Sequence, residues 1–351
     1  MNSANISIVI TCFNYAQYVV SAIESAIRQA YMHKEIIVVN DGSTDNSSEV
    51  IIRYADRMRI IEQPNLGSIA AYNRGFEEST GNVVVFLDAD DLLAENALEE
   101  IASAWYPECA KVQYDLKIIN GGGEDLGRRF CNFAPNYDVG RVRADFLRTG
   151  TYRWPVTTGN AYSRWFLETV IPLQVDQGPD GLLNTVAPVY GDVVTISEVL
   201  GSYRLHGSNL WSSIGSDRSQ LPARIETRQR EVAFMREHAA RRNVALPPGN
   251  VLDHEMAFIN YRLMALKLGL DYPGRGNDTC MGLFRSACRV LLRQWFPFKL
   301  WVSHFAWFVI LVLSRRSIVG GLFHLRFNRA AYVQVARRAA CVVLDPFKRF
   351  R

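Results

Sequence analysis

What this chain has little of narrows what it can be. Its six cysteines (Cys12, Cys109, Cys131, Cys280, Cys288 and Cys341) form no CxxC pair and have no histidines clustered near them, which excludes a zinc knuckle or a dithiol redox centre. They read as reduced, mostly buried thiols, as in a cytosolic protein. The N-terminus carries no basic stretch followed by an apolar core, so no secretory signal is expected. Neither GxGxxG nor GxxxxGK occurs in the first predicted turn, TCFNYAQY, so no glycine loop at a helix start is there to cradle phosphates. Internal repeats and low-complexity tracts are missing as well.

Acidic residues are scarce in one place. Residues 281–351 hold thirteen Lys or Arg against a single acid, Asp345, a local charge of +12, whereas residues 1–280 hold 26 basic and 34 acidic groups, or −8. An acidic body with a basic tail points to a polyanionic surface as the tail's partner. Within that tail the fifteen residues between Lys299 and Arg315 are uncharged. As a helix they would extend about 22 Å, short of the ~30 Å core of a bilayer. With Trp295, Trp301, Trp307 and flanking arginines, the segment suits a membrane interface; a helical pair packed on the rest of the chain is the alternative.

What is present centres on residues 81–91, GNVVVFLDADD. Five apolar residues read as a strand buried on both faces, and it runs directly into Asp88, Asp90 and Asp91. Three carboxylates so close repel one another and are best tolerated beside a cation or a helix N-terminus. Asp91 is expected to cap the helix that begins near Glu95. Upstream, strands at 6–11, 35–39 and 58–61 alternate with helices at 15–30, 46–54 and 67–78, which predicts a parallel, doubly wound α/β sheet. Asp41 ends the second strand in DGSTD, where it fits either a ligand's sugar or base or plain turn chemistry.

After residue 93 the pattern predicts a strand at 110–120, a turn at 121–123, a helix at 139–148 and a strand at 199–206. That last strand puts Ser202, Arg204 and His206 on one face, where the two potential cations could meet a diphosphate or complete a metal shell. The loop WPVTTGN at 154–160 suits sugar stacking and equally suits packing. Asp180 precedes a helix start at 181–187 and by itself reads as a cap. From about 217 the chain turns helical, with a break at 246–249, a further helix at 254–270 and a linker at 272–277.

Four segments taken together resemble the family 2 glycosyltransferases of the GT-A fold: SIVITCFNYAQYVVSAIESAIRQ, EIIVVNDGSTDNS, QPNLGSIAAYNRGFEESTG and NVVVFLDADD. They cover about the first hundred residues. The resemblance implies a metal-dependent, inverting transfer from a nucleoside diphosphate sugar, usually a uridine one, to an acceptor hydroxyl. It implies that Thr11 and Asp41 hold the base and ribose. Asp88-Ala89-Asp90 is then the DxD motif, with Asp90 on Mn2+ or Mg2+ and Asp88 on the ribose or the metal. It puts the catalytic base at Asp180, within what the family usually writes as Glu-Asp; Pro179 stands in the first place here, and Asp176 is the substitute candidate. YRLHGSN resembles the family's YRxH segment, which makes His206 a metal ligand and Arg204 a diphosphate partner.

The organisation expected is a catalytic domain at 1–212, divided near 105 into nucleotide and acceptor halves. A helical extension at 213–276 and basic amphipathic helices at 277–351 would follow. The tail would hold a cytoplasmic enzyme at the anionic inner face of the cell membrane, near a lipid-linked acceptor, in bacterial cell-surface polysaccharide or glycolipid synthesis. No nucleic-acid partner is implied. A processive synthase is disfavoured by the missing QxxRW segment, and a sugar nucleotidyltransferase by the missing basic glycine loop. A non-catalytic scaffold would have little reason to keep the four carboxylates.

Overall fold

A computed structural model describes residues 4–174, 178–207, 209, 217–293 and 298–327. Asp176, Trp295 and Cys341 lie outside them. The chain forms two units, Met1–His206 with Glu231–Pro248, and Gly207–Arg230 with Gly249–Arg351.

The first unit begins β1 (Ile6–Cys12), α1 (Ala16–Ile27), β2 (Lys34–Asp41), α2 (Ser47–Ile51), β3 (Arg59–Gln63), α3 (Ser68–Glu77) and β4 (Val83–Asp88). Strands β3, β2, β1 and β4 lie side by side in that order, all parallel. The runs of Ile and Val in β2, β1 and β4 are buried on both faces because helices cover both, as crossover connections demand, while the edge strand β3 buries only Ile61. Helix α1 supplies Val19, Ala22, Ile23 and Ala26 at helical spacing to that core.

A second run follows: β5 (Leu92–Leu93), α4 (Ala97–Ala104), β6 (Cys109–Asn120), β7 (Asp125–Arg129), α5 (Val139–Thr149), β8 (Asn160–Ser163), α6 (Arg164–Val170), α7 (Pro179–Tyr190) and β9 (Asp192–Leu205). Here the sheet continues β4-β8-β6-β9-β5 and becomes mixed, with β8 antiparallel to both neighbours, β6 parallel to β9, and β5 antiparallel to β9. Strand β7 pairs with the outer part of β6. Gly201 in β9 lets this layer close, since a Cβ there would stand 2.7 Å from Leu116 Cδ2 and 2.8 Å from the Leu92 carbonyl oxygen. Among the described residues Cys12, Cys109, Cys131, Cys280 and Cys288 are free thiols.

Helix α8 (Gln220–Arg241) contributes its first half to the second unit and its second half to the first. The second unit continues with α9 (Met256–Leu268), α10 (Cys280–Arg293), α11 (Phe298–Leu313) and α12 (Arg316–Phe327). It is pinned by buried ion pairs: Arg228 grips Glu255 at 2.6–3.1 Å, and Arg262 bridges Asp253 at 2.6 Å and Asp278 at 2.8 Å. Trp301 and Trp307 turn inward, donating to the Leu291 carbonyl at 3.1 Å and to Asn260 Oδ1 at 2.7 Å. The outward face of α11 is instead Phe298, Val302, Phe305, Ile310 and Leu313. Among the described residues no helix is long and apolar enough to cross a membrane.

Candidate functional site

Parallel strands present their carboxyl ends at one edge of the sheet, the usual ligand edge of open α/β folds. Thr11 ends β1 in register with Asp88 of β4, and Asp41 ends β2 next to them. Asp41 is buried, and its carboxylate is already well used: it accepts from Gln63 Nε2 at 2.6 Å, Leu66 N at 2.9 Å and Gly67 N at 2.9 Å. Of its roughly four lone-pair directions, three therefore hold the loop before α3. The neighbouring DGSTD hydroxyls and amides lock the first two turns together, Asn14 Oδ1 accepting from Thr44 N at 2.7 Å and Asp45 capping α1 through Ala16 N at 3.0 Å.

The acidic turn after β4 closes with Asp91 N donating to the Asp88 carbonyl at 3.0 Å. Strand β5 then binds the turn to the far end of β9, and this is what brings Asp90 to His206. Asp90 Oδ2 and His206 Nε2 stand 2.8 Å apart, both nearly buried, with the imidazole packed against Tyr15 and Tyr18. Asp91 does not cap the next helix, whose N-cap is Asn96. It accepts from Thr158 Oγ1 at 2.6 Å and from Arg204 N at 2.9 Å, tying three segments together. The Arg204 guanidinium donates to the carbonyls of Asp90 at 2.7 Å and Gly121 at 3.2 Å and lies over Tyr18, so it shapes the acidic turn from behind.

Asp180 lies in the first turn of α7, and Gly178, not Asp180, is the N-cap. Burial raises its pKa, opposed by the backbone amides of Gly181, Asp180 and Thr157 and by the charge of Lys111. Asp88 is raised well above the usual carboxylate range, first by burial and then by the charges of Asp90 and Asp180. The charges of Asp90 and Asp180 thus both work against the ionisation of Asp88. A carboxylate and an imidazole already converging beside it are the donors a hard divalent cation takes when substrate phosphates complete its shell. The described residues contain no group of three or more His, Cys, Asp or Glu side chains placed to hold a metal ion.

Three further residues border this site that were not named individually from the sequence. Tyr72 of α3, stacked on Phe86 at 4.3 Å, feels both Asp88 and Asp180. Thr157 touches the same two carboxylates from the WPVTTGN loop, most of which is buried and bonded within the protein. Lys111 of β6 lies behind α7. Tyr72 lies in one of the four family-like segments and Thr157 in the 154–160 loop, but only the meeting of distant elements shows that these two and Lys111 border the carboxylates.

The model of glycosyl transferase family 2 matches residues 7–169. An uncharacterised glycosyltransferase of Nostoc sp. is 34% identical over 231 residues, covering 63% of this chain and 71% of that one. Glycosyltransferase GlyA of Streptococcus pneumoniae is 35% identical over 118 residues, 33% of this chain and 16% of its own length. YibD of Escherichia coli, an uncharacterised glycosyltransferase, is 44% identical over 95 residues, 26% of this chain and 28% of its own. Except for the Nostoc protein, the chain spans less than a third of these relatives. Among solved structures, the mannosyltransferase PcManGT of Pyrobaculum calidifontis, in complex with GDP-Man and Mn2+, has a TM-score of 0.50 at 16% identity, covering 93% of this chain and 88% of that one. S. aureus TarS 1-349 in complex with UDP-GlcNAc has a TM-score of 0.47 at 12% identity over 92% of this chain and 91% of that one. The architecture is that of GT-A glycosyltransferases.

Proposed function

The chain belongs to glycosyltransferase family 2, and from that premise we propose that it transfers a sugar, with inversion, from a nucleoside diphosphate sugar to an acceptor hydroxyl. The observation that carries the reading is the meeting of Asp90 and His206 at 2.8 Å beside Asp88, with Asp180 within electrostatic range of the same cleft. The base and ribose would lie over the ends of β1 and β2, where Thr11 and the remaining lone pair of Asp41 offer hydrogen bonds. Asp88 would reach the ribose or the ion. Asp90 and His206 would hold Mn2+ or Mg2+, which when bound would offset the charge of the donor's diphosphate.

Asp180 acts as general base. It accepts the proton of the acceptor hydroxyl as that oxygen bonds to the anomeric carbon, and the bond from that carbon to the diphosphate oxygen breaks on the opposite face. A base whose pKa burial raises above the usual carboxylate value accepts the proton more readily in the transition state. Arg204 keeps the Asp90 carbonyl, and so the turn, in place throughout. Uridine is the first nucleotide to try, on the family resemblance; the Mn2+ in the PcManGT complex makes manganese the first ion.

The basic tail at 277–351 would keep the enzyme at an anionic membrane face, where a lipid-linked acceptor is presented. The exposed apolar stripe of α11 beside Arg315 and Arg316 supports this, as an interfacial helix needs both features. The test is calorimetric binding of UDP and other nucleoside diphosphates, with and without Mn2+, to wild type and to Asp90→Ala. Ion-enhanced binding that vanishes in the variant is expected, and the matching UDP-sugars are then assayed for transfer. Binding of no nucleotide would leave only a non-catalytic role for the fold.

A further inference from the structure

Strand β6 carries a lysine deep inside the first unit. Lys111 is fully buried, and burial lowers its pKa well below the ordinary lysine value, against the opposing charge of Asp180. Its ammonium donates to Asn184 Oδ1 and, at 3.1 Å, to Tyr152 Oη, and lies 5.2 Å from the Tyr152 ring centre. A cation held without solvent is costly, and an aliphatic residue would fill a strand position more cheaply. The bonds it makes indicate what it is for.

All of them converge on one residue of α7. Asn184 lies four residues after Asp180, one turn along on the same face. Its side chain accepts from Lys111 and from Tyr162 Oη at 3.1 Å, and donates to the Pro155 carbonyl at 3.3 Å. Its own carbonyl would normally bond the amide four residues on, but that residue is Pro188, which has none. Tyr152 Oη fills the gap at 2.7 Å. The proline therefore opens the helix at the place where the lysine and tyrosine grip it. On the other side of the same turn, a Cβ at Gly181 would stand 2.0 Å from Glu231 Oε1, so the turn is closely packed there too.

We propose that Lys111 is a positioning residue of the transfer reaction: together with Tyr152 it clamps Asn184 and so orients the first turn of α7, which presents Asp180 to the acceptor hydroxyl. This rests on Asp180 being the base. The clamp leaves the nucleotide edge alone, because none of its members is on β1, β2 or the acidic turn. Losing it affects the rate and spares the affinity for the donor.

The experiment is a double-mutant cycle of Lys111→Met, close in volume, with Asp180→Asn, reading kcat, donor KM and UDP affinity, alongside hydrogen exchange across residues 179–184. Lys111→Met is expected to lower kcat by about tenfold to a hundredfold, as a misplaced reacting group does, with donor KM and UDP affinity within about twofold. Exchange should rise in the first turn of α7, and the substitution should cost nothing more once Asp180 is Asn. An equal loss of kcat in both backgrounds, or a loss of UDP affinity matching that of kcat, overturns the proposal. Wild-type turnover by Asp180→Asn instead removes Asp180 as the base, a separate failure. Should Lys111→Met not fold, Tyr152→Phe deletes one oxygen from the same clamp, and a wild-type kcat there overturns the proposal equally.

Discussion

In β2, β1 and β4 the sheet buries Val, Ile and Leu on both faces, whereas from β8 to β9 it also buries Lys111, Gln113, Asp115, Asn160 and Ser202. The first half is dominated by apolar area removed from water, and the second adds to its own apolar core a set of buried polar side chains, most of them hydrogen-bonded. The contrast suggests a division of labour within the unit. An apolar core tolerates change in shape and would give the proposed nucleotide site a stable platform. A buried polar network has few acceptable arrangements, and it surrounds the helix carrying Asp180.

The largest effect that would sharpen this division is expected at Asp180 itself. Asp180→Asn should lower kcat by about 10²–10⁴-fold, the usual contribution of a general base, and leave UDP affinity close to wild type. Steady-state kinetics with calorimetry checks both; a parallel loss of binding would mean that the carboxylate serves the platform instead. In the opposite half, Ile8→Ala empties space at a fully buried position of β1. It should cost about 2–5 kcal/mol of stability, seen as a lower melting temperature, with kcat unchanged at temperatures where the protein is folded. A kcat defect at full folding would break the division.

Asp115 tests the polar half without touching the site. It is fully buried and accepts from Leu116 N at 2.9 Å, Cys131 N at 3.0 Å and Phe133 N at 3.2 Å. Asp115→Asn would turn an amide N–H2 towards one of these donors, leaving it unpaired at about 1–3 kcal/mol. Denaturant titration is expected to show that loss, and hydrogen exchange to show it opening residues 130–133 first.

The same division explains what could be read from residues alone. The strands at 6–11, 35–39 and 83–87 were legible because a run of Val and Ile has few other uses, and they are found at Ile6–Cys12, Lys34–Asp41 and Val83–Asp88. Asp88, Asp90 and Asp91 drew notice because three carboxylates in four residues need a reason, and the structure gathers Asp90 to His206 and Asp91 to Thr158 and Arg204. Residues 110–117, AKVQYDLK, alternate apolar and polar, a pattern that normally marks one solvated face. Here Lys111, Gln113 and Asp115 of that face are buried and Lys117 alone is exposed, because Tyr152, Asn184, Thr195, the Arg153 carbonyl and the amides of Cys131 and Phe133 bond most of the buried polar atoms. Asn184 is 73 residues from Lys111 in the chain, and local periodicity carries no record of such partners. Asp91 misled for a similar reason: its spacing fits a helix cap, but Thr158 and Arg204 reach it first.

The smallest expected effect sets the two halves against each other through acid. Glu35, at the start of β2, is partly buried, which alone would raise its pKa. The Ser7 hydroxyl, Thr80 N at 2.6 Å, Thr80 Oγ1 at 2.9 Å and Gly81 N at 3.2 Å outweigh burial, and the net shift is downward. A carboxylate lowered on folding stabilises the native state above its unfolded pKa of about 4.3, and that stability is lost as pH falls through the folded value. Asp88, Asp91 and Asp180 are shifted upward, so their contribution is present in acid and is lost as pH rises through their folded values. Glu35→Gln should therefore cost about 1–2 kcal/mol near neutral pH, the scale of hydrogen bonds to a charged group, and progressively less below about pH 4. Chemical denaturation of both proteins across pH 3–7 checks this: curves that converge in acid assign the linkage to the platform half, and curves that stay parallel would mean that Glu35 acts by hydrogen-bond geometry alone, leaving the site carboxylates as the main source of pH dependence.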